Sequence, residues 1–83
     1  MRRTRLDIII DILLLVVNKG ANKTKIVYGA NLNFKIAHKY IEFMLETGLI
    51  EERKKDGKTL YYATEKGICI LEKYRELMEE ASF

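Results

Sequence analysis

Apolar side chains in "TRLDIIIDILLLVVNKG" recur at Leu6, Ile9, Ile10, Leu13, Val16 and Val17, the three- and four-residue steps that line one side of a helix. Ile8, Ile12 and Leu15 widen that stripe beyond what a single face requires. The pattern therefore predicts a helix from Thr4 to Asn18, stopped by Gly20 and buried on more than one side. So much isoleucine and valine also suits a buried strand, but the length of the segment and the Asp7/Asp11 pair four residues apart favour helix. The next segment, "NKTKIVYGA", predicts a second helix of about two turns, capped by Asn22, with Ile26, Val27 and Ala30 facing inward. A helix that short is marginal in water and depends on its neighbours.

Gly29, Asn31 and Asn33 then interrupt a chain that contains no proline and only five glycines. Gly29 and Ala30 close the second helix, Asn31 tolerates a left-handed backbone, Leu32 plugs the corner, and Asn33 caps the next helix. Replacing that cap by alanine is expected to cost about 1 kcal/mol. Helix, short turn and capped helix form a helix-turn-helix, whose second member enters the major groove of DNA. This third helix runs from Phe34 to about Thr47 and ends at Gly48. Ile36, Ala37, Tyr40, Ile41, Met44 and Leu45 are its inward set, and Lys35, His38, Lys39, Glu42 and Glu46 its outward set.

In "LIEERKKDGKTLYYA" the Asp56-Gly57 pair predicts a two-residue hairpin turn, with Leu60 and Tyr62 sharing a face and Arg53, Lys54, Lys55 and Lys58 at the tip. Thr64 caps a final helix. Gly67 weakens its first turn, Ile68, Ile70, Leu71, Tyr74, Leu77, Met78 and Ala81 make a broad apolar face, and Cys69 is expected as a small core residue. Gly67, Leu71, Tyr74, Met78 and Ala81 alternate steps of four and three, the seam spacing of a coiled coil.

Composition narrows the options. Eighty-three residues, 48% hydrophobic, make one small domain (1–83) near the size at which a single core is barely sufficient, so a partner subunit is expected. One cysteine and one histidine leave no disulfide and no metal-ligand spacing. The longest apolar run, "ILLLVV", is too short to span a bilayer, and a reducing, cytoplasmic setting is expected. Net charge is +3, unevenly placed: residues 1–63 carry 12 Lys and Arg against 7 Asp and Glu, and residues 64–83 carry 3 against 5. A basic body with an acidic tail suits a polyanion on the body and a protein chain on the tail.

Charge order along the third helix is equally informative. Its basic residues precede its acidic ones, against the preference of the helix dipole, so helix stability does not account for them and an anion near the N-terminal end does. Lys35, His38 and Lys39 are therefore candidates for DNA contact, with a solvated helix face as the plain alternative. Lysines neutralise phosphates; Asn33 and His38 suit base edges, although capping competes for Asn33. Four cations at the hairpin tip exceed what is needed to discourage edge-to-edge aggregation. Lys23, Thr24 and Lys25 suit a phosphate at the start of the second helix, and Tyr28 either joins them or packs. Arg2, Arg3 and Arg5 form a basic N-terminal arm (1–5) that reaches a minor groove or stays unstructured. With no glycine-rich phosphate loop, no nucleophile with a base partner and no metal cluster, neither an enzyme nor a cofactor is expected.

"KTKIVYGANLNF", "KYIEFMLETGLIEE" and "GKTLYYATEKG" together resemble the small archaeal winged-helix proteins of roughly ten kilodaltons that bind DNA as chromatin-associated or regulatory factors. The likeness spans Thr24 to Leu71, with the tyrosine-glycine-alanine-asparagine element its most specific part. The resemblance implies a mainly α fold with a small β-hairpin: a winged helix-turn-helix with recognition helix 33–47 and wing 53–58. It also implies a homodimer through the C-terminal helix (64–82), here through Leu71, Tyr74, Met78 and Ala81, with the wide first helix contributing. Double-stranded DNA binding, as a transcriptional regulator or nucleoid-associated architectural factor, is the expected function. A winged-helix module that binds only protein is the alternative.

Overall fold

The computed structural model describes residues 3–81, so Arg2 of the expected arm lies outside the described residues. Four helices and one hairpin follow in order: α1 (Arg5–Val16), α2 (Lys23–Gly29), α3 (Phe34–Glu46), β1 (Ile50–Lys55), β2 (Lys58–Ala63) and α4 (Glu65–Glu80). Each helix begins where a short polar side chain takes up a free amide. Thr4 accepts from Asp7 N while the Asp7 carboxylate accepts from Thr4 N, a complete capping box. Asn22 and Asn33 each accept from the third residue of their helices at 2.8 Å, and Thr64 accepts from Gly67 N at 3.2 Å. The three expected caps, Asn22, Asn33 and Thr64, are all present, and Thr4 adds a fourth.

Ile12, Leu13 and Val16 of α1 are fully buried with Ile26 of α2 and Ile41 and Met44 of α3, so the first helix is the axle around which the others pack. Of the expected stripe Ile10, Leu13 and Val16 are buried, and Ile12, expected to widen it, is wholly inside, whereas Leu6 in the first turn is half exposed. The helix ends at Val16, four residues before Gly20, and Gly20 is not its stop. Gly20 has φ +73 and sits beneath the Tyr62 ring, where an added Cβ would lie 2.6 Å from the ring. The next residue explains the placement. Ala21 and Tyr61 exchange both backbone hydrogen bonds, at 3.0 and 2.8 Å, adding a one-residue third strand that pulls the loop after α1 onto the hairpin.

The hairpin pairs Ile50 with Ala63 through Lys55 with Lys58. Asp56 and Gly57 both have positive φ, 51 and 76°, as a type I′ turn requires. Tyr61 is the residue that enters the core, and burial, with a smaller contribution from Glu52, pushes its phenol above the usual tyrosine range.

At its start α4 locks onto the end of α3. The Thr64 hydroxyl donates to Gly48 O at 2.5 Å, Thr64 N to Leu49 O at 3.1 Å, and Lys66 Nζ to Thr47 O at 2.6 Å. No basic residue occupies the last turn of α3, so Lys66 supplies from another helix the cation that a helix C-terminus favours. Gly67 is the hinge point of this contact: a Cβ there would run into the Leu49 carbonyl, a stronger reason for glycine than any local helix preference. Cys69 is exposed rather than core, because at about 100° per residue it lies opposite the buried Gly67 and Leu71. Among the described residues no helix is long and apolar enough to cross a membrane.

Candidate nucleic-acid interface

The corner between α2 and α3 is a Schellman turn built without glycine at its left-handed position. Asn31 takes φ 54; Leu32 N donates to Val27 O at 2.9 Å and Asn31 N to Tyr28 O at 3.4 Å. Leu32 is half-buried against the core, which sets the angle at which α3 leaves. Gly29 lets α2 approach α1, since a Cβ there would meet the Leu15 methyls at 2.7 Å. The Val27 to Asn33 stretch thus positions one thing, the first turn of α3.

On α3 the buried Ala37, Ile41 and Met44 define the inward direction. At about 100° per residue, Lys35 and Lys39 lie near the centre of the opposite face, with Glu42 and Glu46 continuing it toward the C-terminus. Only the first two turns of that face are cationic. Asn33 holds the cap through its side-chain oxygen, so its remaining polar capacity is the amide NH₂. His38 lies on the flank toward α2 and meets Lys23 Nζ at 3.1 Å. An ammonium can only donate, so Nδ1 accepts and Nε2–H becomes the donor of the ring. Thr24 and Lys25 are exposed beside Lys23, and Tyr28 is 75% exposed at the end of α2.

In the wing, Lys54, Lys55 and Lys58 are exposed and make no ion pair among the described residues. Lys55 stands directly across from Lys58, a like-charge pair that disfavours the hairpin by a few tenths of a kcal/mol or more. Arg53 differs from them. Its guanidinium pairs with Glu51 at 2.7 Å and lies 4.4 Å from the centre of the Tyr62 ring. Arg3 is also engaged within the chain: one nitrogen donates to Ala30 O at 2.5 Å and another to Asp11 at 2.6 Å, so it caps the C-terminal end of α2. Arg5 lies across a cleft from Lys39.

The residues expected at a dimer seam divide between inside and outside. Leu71 belongs to the core of the chain itself and Tyr74 is half-buried against it, whereas Met78 and Ala81 are exposed. Leu77, part of the expected apolar face of the last helix, is exposed as well, and so is Leu14, an apolar residue off the main stripe of α1. Periodicity assigns each helix one buried face and is silent on a second. Phe34 and Phe43, half exposed on α3, escaped notice for the same reason. The Lys23–His38 contact and the Ala21–Tyr61 bridge join residues far apart in sequence, and no local pattern reports them.

Comparison with known proteins agrees with this geometry. A family model described as winged helix-turn-helix matches residues 2–82. An uncharacterized protein of Methanocaldococcus jannaschii, MJ0290, is 43% identical over 77 residues; the match covers 93% of this chain and only 35% of that protein, so the chain spans about a third of its length. A second, MJ0287, is 33% identical over 66 residues, covering 72% of this chain and 68% of the relative. Among solved structures, Sso10a-2, a DNA-binding protein from Sulfolobus solfataricus, superposes with a TM-score of 0.79 at 25% identity, over 95% of this chain and 82% of that one. A capped helix-turn-helix followed by a two-stranded wing, matched over nearly every residue, means that the chain belongs to the winged helix-turn-helix family, with similar members in archaea.

Proposed function

We propose that the chain binds double-stranded DNA as a homodimer, laying the first two turns of α3 in the major groove and the wing on the flanking backbone. Lys54, Lys55 and Lys58 carry this reading: three exposed cations on one hairpin, two of them held face to face, have no stabilising role within the chain and match a phosphate backbone. Lys35 and Lys39 extend the cationic surface to the recognition helix, with Lys23, Thr24, Lys25 and Tyr28 beside it. His38, as an Nε2–H donor, suits a purine acceptor, and Phe34, apolar and half exposed at the first helical position, suits a thymine methyl. Sso10a-2, the similar fold, is a DNA-binding protein, which supports the same assignment.

The second subunit docks on the face formed by α1 and α4, where Leu14, Leu77 and Met78 are exposed. A dimer duplicates the groove-reading helix and roughly doubles the number of phosphates neutralised. Its role is that of a transcriptional regulator or an architectural factor of the nucleoid, in the cytoplasm.

Titration of a 30-base-pair duplex at two salt concentrations tests the proposal. Affinity falls with a slope of log K against log salt close to one unit per neutralised phosphate, about five or more for the cations named. No binding at 50 mM salt or below discards it.

A further inference from the structure

A cleft of ≈ 260 Å³ opens between the start of α1 and the middle of α3, lined by Arg5, Ile9, Lys39, Tyr40 and Phe43. Its wall is mostly apolar and includes two aromatic rings, yet both of its charged residues are cations. Among the described residues no carboxylate lines it, and the two ion pairs of the chain involve Arg3 and Arg53 instead. On α1 Asp7, which lies between Arg5 and Ile9 in sequence, is held in the Thr4 capping box. Neither cation has an ion-pair partner among the described residues, and both line the cleft beside half-exposed Phe43.

We propose that this cleft binds a small aromatic carboxylate, its ring against Ile9, Tyr40 and Phe43 and its carboxylate between Arg5 and Lys39. A cavity of about 150 Å³ accepts benzene, so ≈ 260 Å³ of open cleft has room for one or two fused rings. Charge decides the polar group, because a guanidinium receives a carboxylate through two parallel hydrogen bonds and an ammonium adds a third. Planarity follows from the two aromatic side chains, which favour an offset or edge-on ring.

Lys39 belongs both to this cleft and to the outward face of α3. A carboxylate seated there neutralises one of the cations assigned to the duplex, so ligand and DNA oppose each other. This coupling rests on the DNA-binding reading; the ligand site does not.

The test is an amide chemical-shift titration of the full chain with 2-naphthoate and, as a neutral isostere, 2-naphthalenemethanol, in the absence of DNA. Naphthoate shifts the signals of Ile9, Tyr40 and Phe43, and the alcohol binds about tenfold more weakly or worse. Lys39→Gln weakens naphthoate about tenfold and leaves the alcohol unchanged, whereas Phe43→Ala weakens both. Absence of shifts at millimolar naphthoate, equal affinity for the two probes, or shifts centred on Leu14 and Met78 would each overturn the site. In a separate duplex titration at 0.1 M salt, saturating naphthoate lowers DNA affinity about a hundredfold, the loss of one phosphate contact in each subunit. Unchanged duplex affinity with naphthoate bound overturns the coupling, and failure of the duplex to bind at all indicts the DNA reading while leaving the probe result standing.

Discussion

The two exposed faces of this domain depart from an ordinary surface in opposite ways. Among the described residues one, along α3 and the wing, carries lysines that make no ion pair; the other, along α1 and α4, leaves Leu14, Leu77 and Met78 half or more exposed. Neither departure stabilises the isolated chain. Uncompensated cations repel each other, most directly at Lys55 and Lys58, and large apolar side chains left in water forgo about 25 cal/mol for every Å² they could bury. The contrast teaches that the fold presents two unsatisfied surfaces of different chemistry, one suited to a polyanion and one to another apolar surface.

The contrast can be broken at either face. Reversing Lys35, Lys39, Lys54 and Lys55 together to glutamate is expected to weaken duplex binding about a thousandfold at 0.1 M salt. Because all four are exposed, the urea midpoint of the chain should barely move. A large drop in that midpoint would mean that the lysines serve the fold. At the opposite face, Leu77→Glu with Met78→Glu is expected to raise the dimer dissociation constant about a hundredfold, since charges buried in an interface stay unpaired. Sedimentation equilibrium checks it, and an unchanged mass rules out that face as the subunit contact.

A finer test lies at the tip of α3. Phe34→Ala is expected to cost about tenfold on duplexes of alternating dA and dT, and little when uracil replaces thymine, because only the methyl group is lost. Equal losses on both duplexes remove Phe34 from base recognition.

The smallest expected effect concerns α1, which carries the apolar face. Hydrogen bonds from the Thr4 backbone and then its side chain hold the Asp7 carboxyl below its ordinary value of 3.8. A lowered folded-state value stabilises the chain at pH above about 3.8, and that contribution fades as pH falls through the folded value beneath it. Asp7→Asn should therefore lower the urea midpoint slightly at pH 7 and by less at pH 2. A difference undiminished at pH 2 would show that the capping box does not act through its charge.

Much of this molecule is written in short-range pattern. The capping side chains Thr4, Asn22, Asn33 and Thr64 sit within three residues of the amides they serve, so their roles follow from spacing alone. The left-handed Asn31 and the Asp56-Gly57 turn are equally local, because they depend on which side chains tolerate positive φ. The misjudged residues share a different cause. Gly20 resembled a helix stop and is a seat for Tyr62; Gly67 resembled a weak first turn and marks the approach of α4 to Leu49; Cys69 resembled core and faces water. Each depends on an element distant in sequence.

The candidate interface divides along the same line. Its cations were visible as a run in the wing and as a basic start to α3, but which of them are engaged within the chain was not. Arg3 and Arg53 look like their neighbours in sequence, and only folding brings Ala30 and Asp11 to the one and Glu51 and the Tyr62 ring to the other.

By itself the sequence determined the order of helices and hairpin, their caps and turns, and the sign of the charge at the start of α3, because each of those is settled within about four residues. Tertiary packing alone decided which cations are engaged within the chain, which apolar side chains stay exposed and that a cleft opens between α1 and α3. Those are properties of surfaces that exist only once separate segments have met.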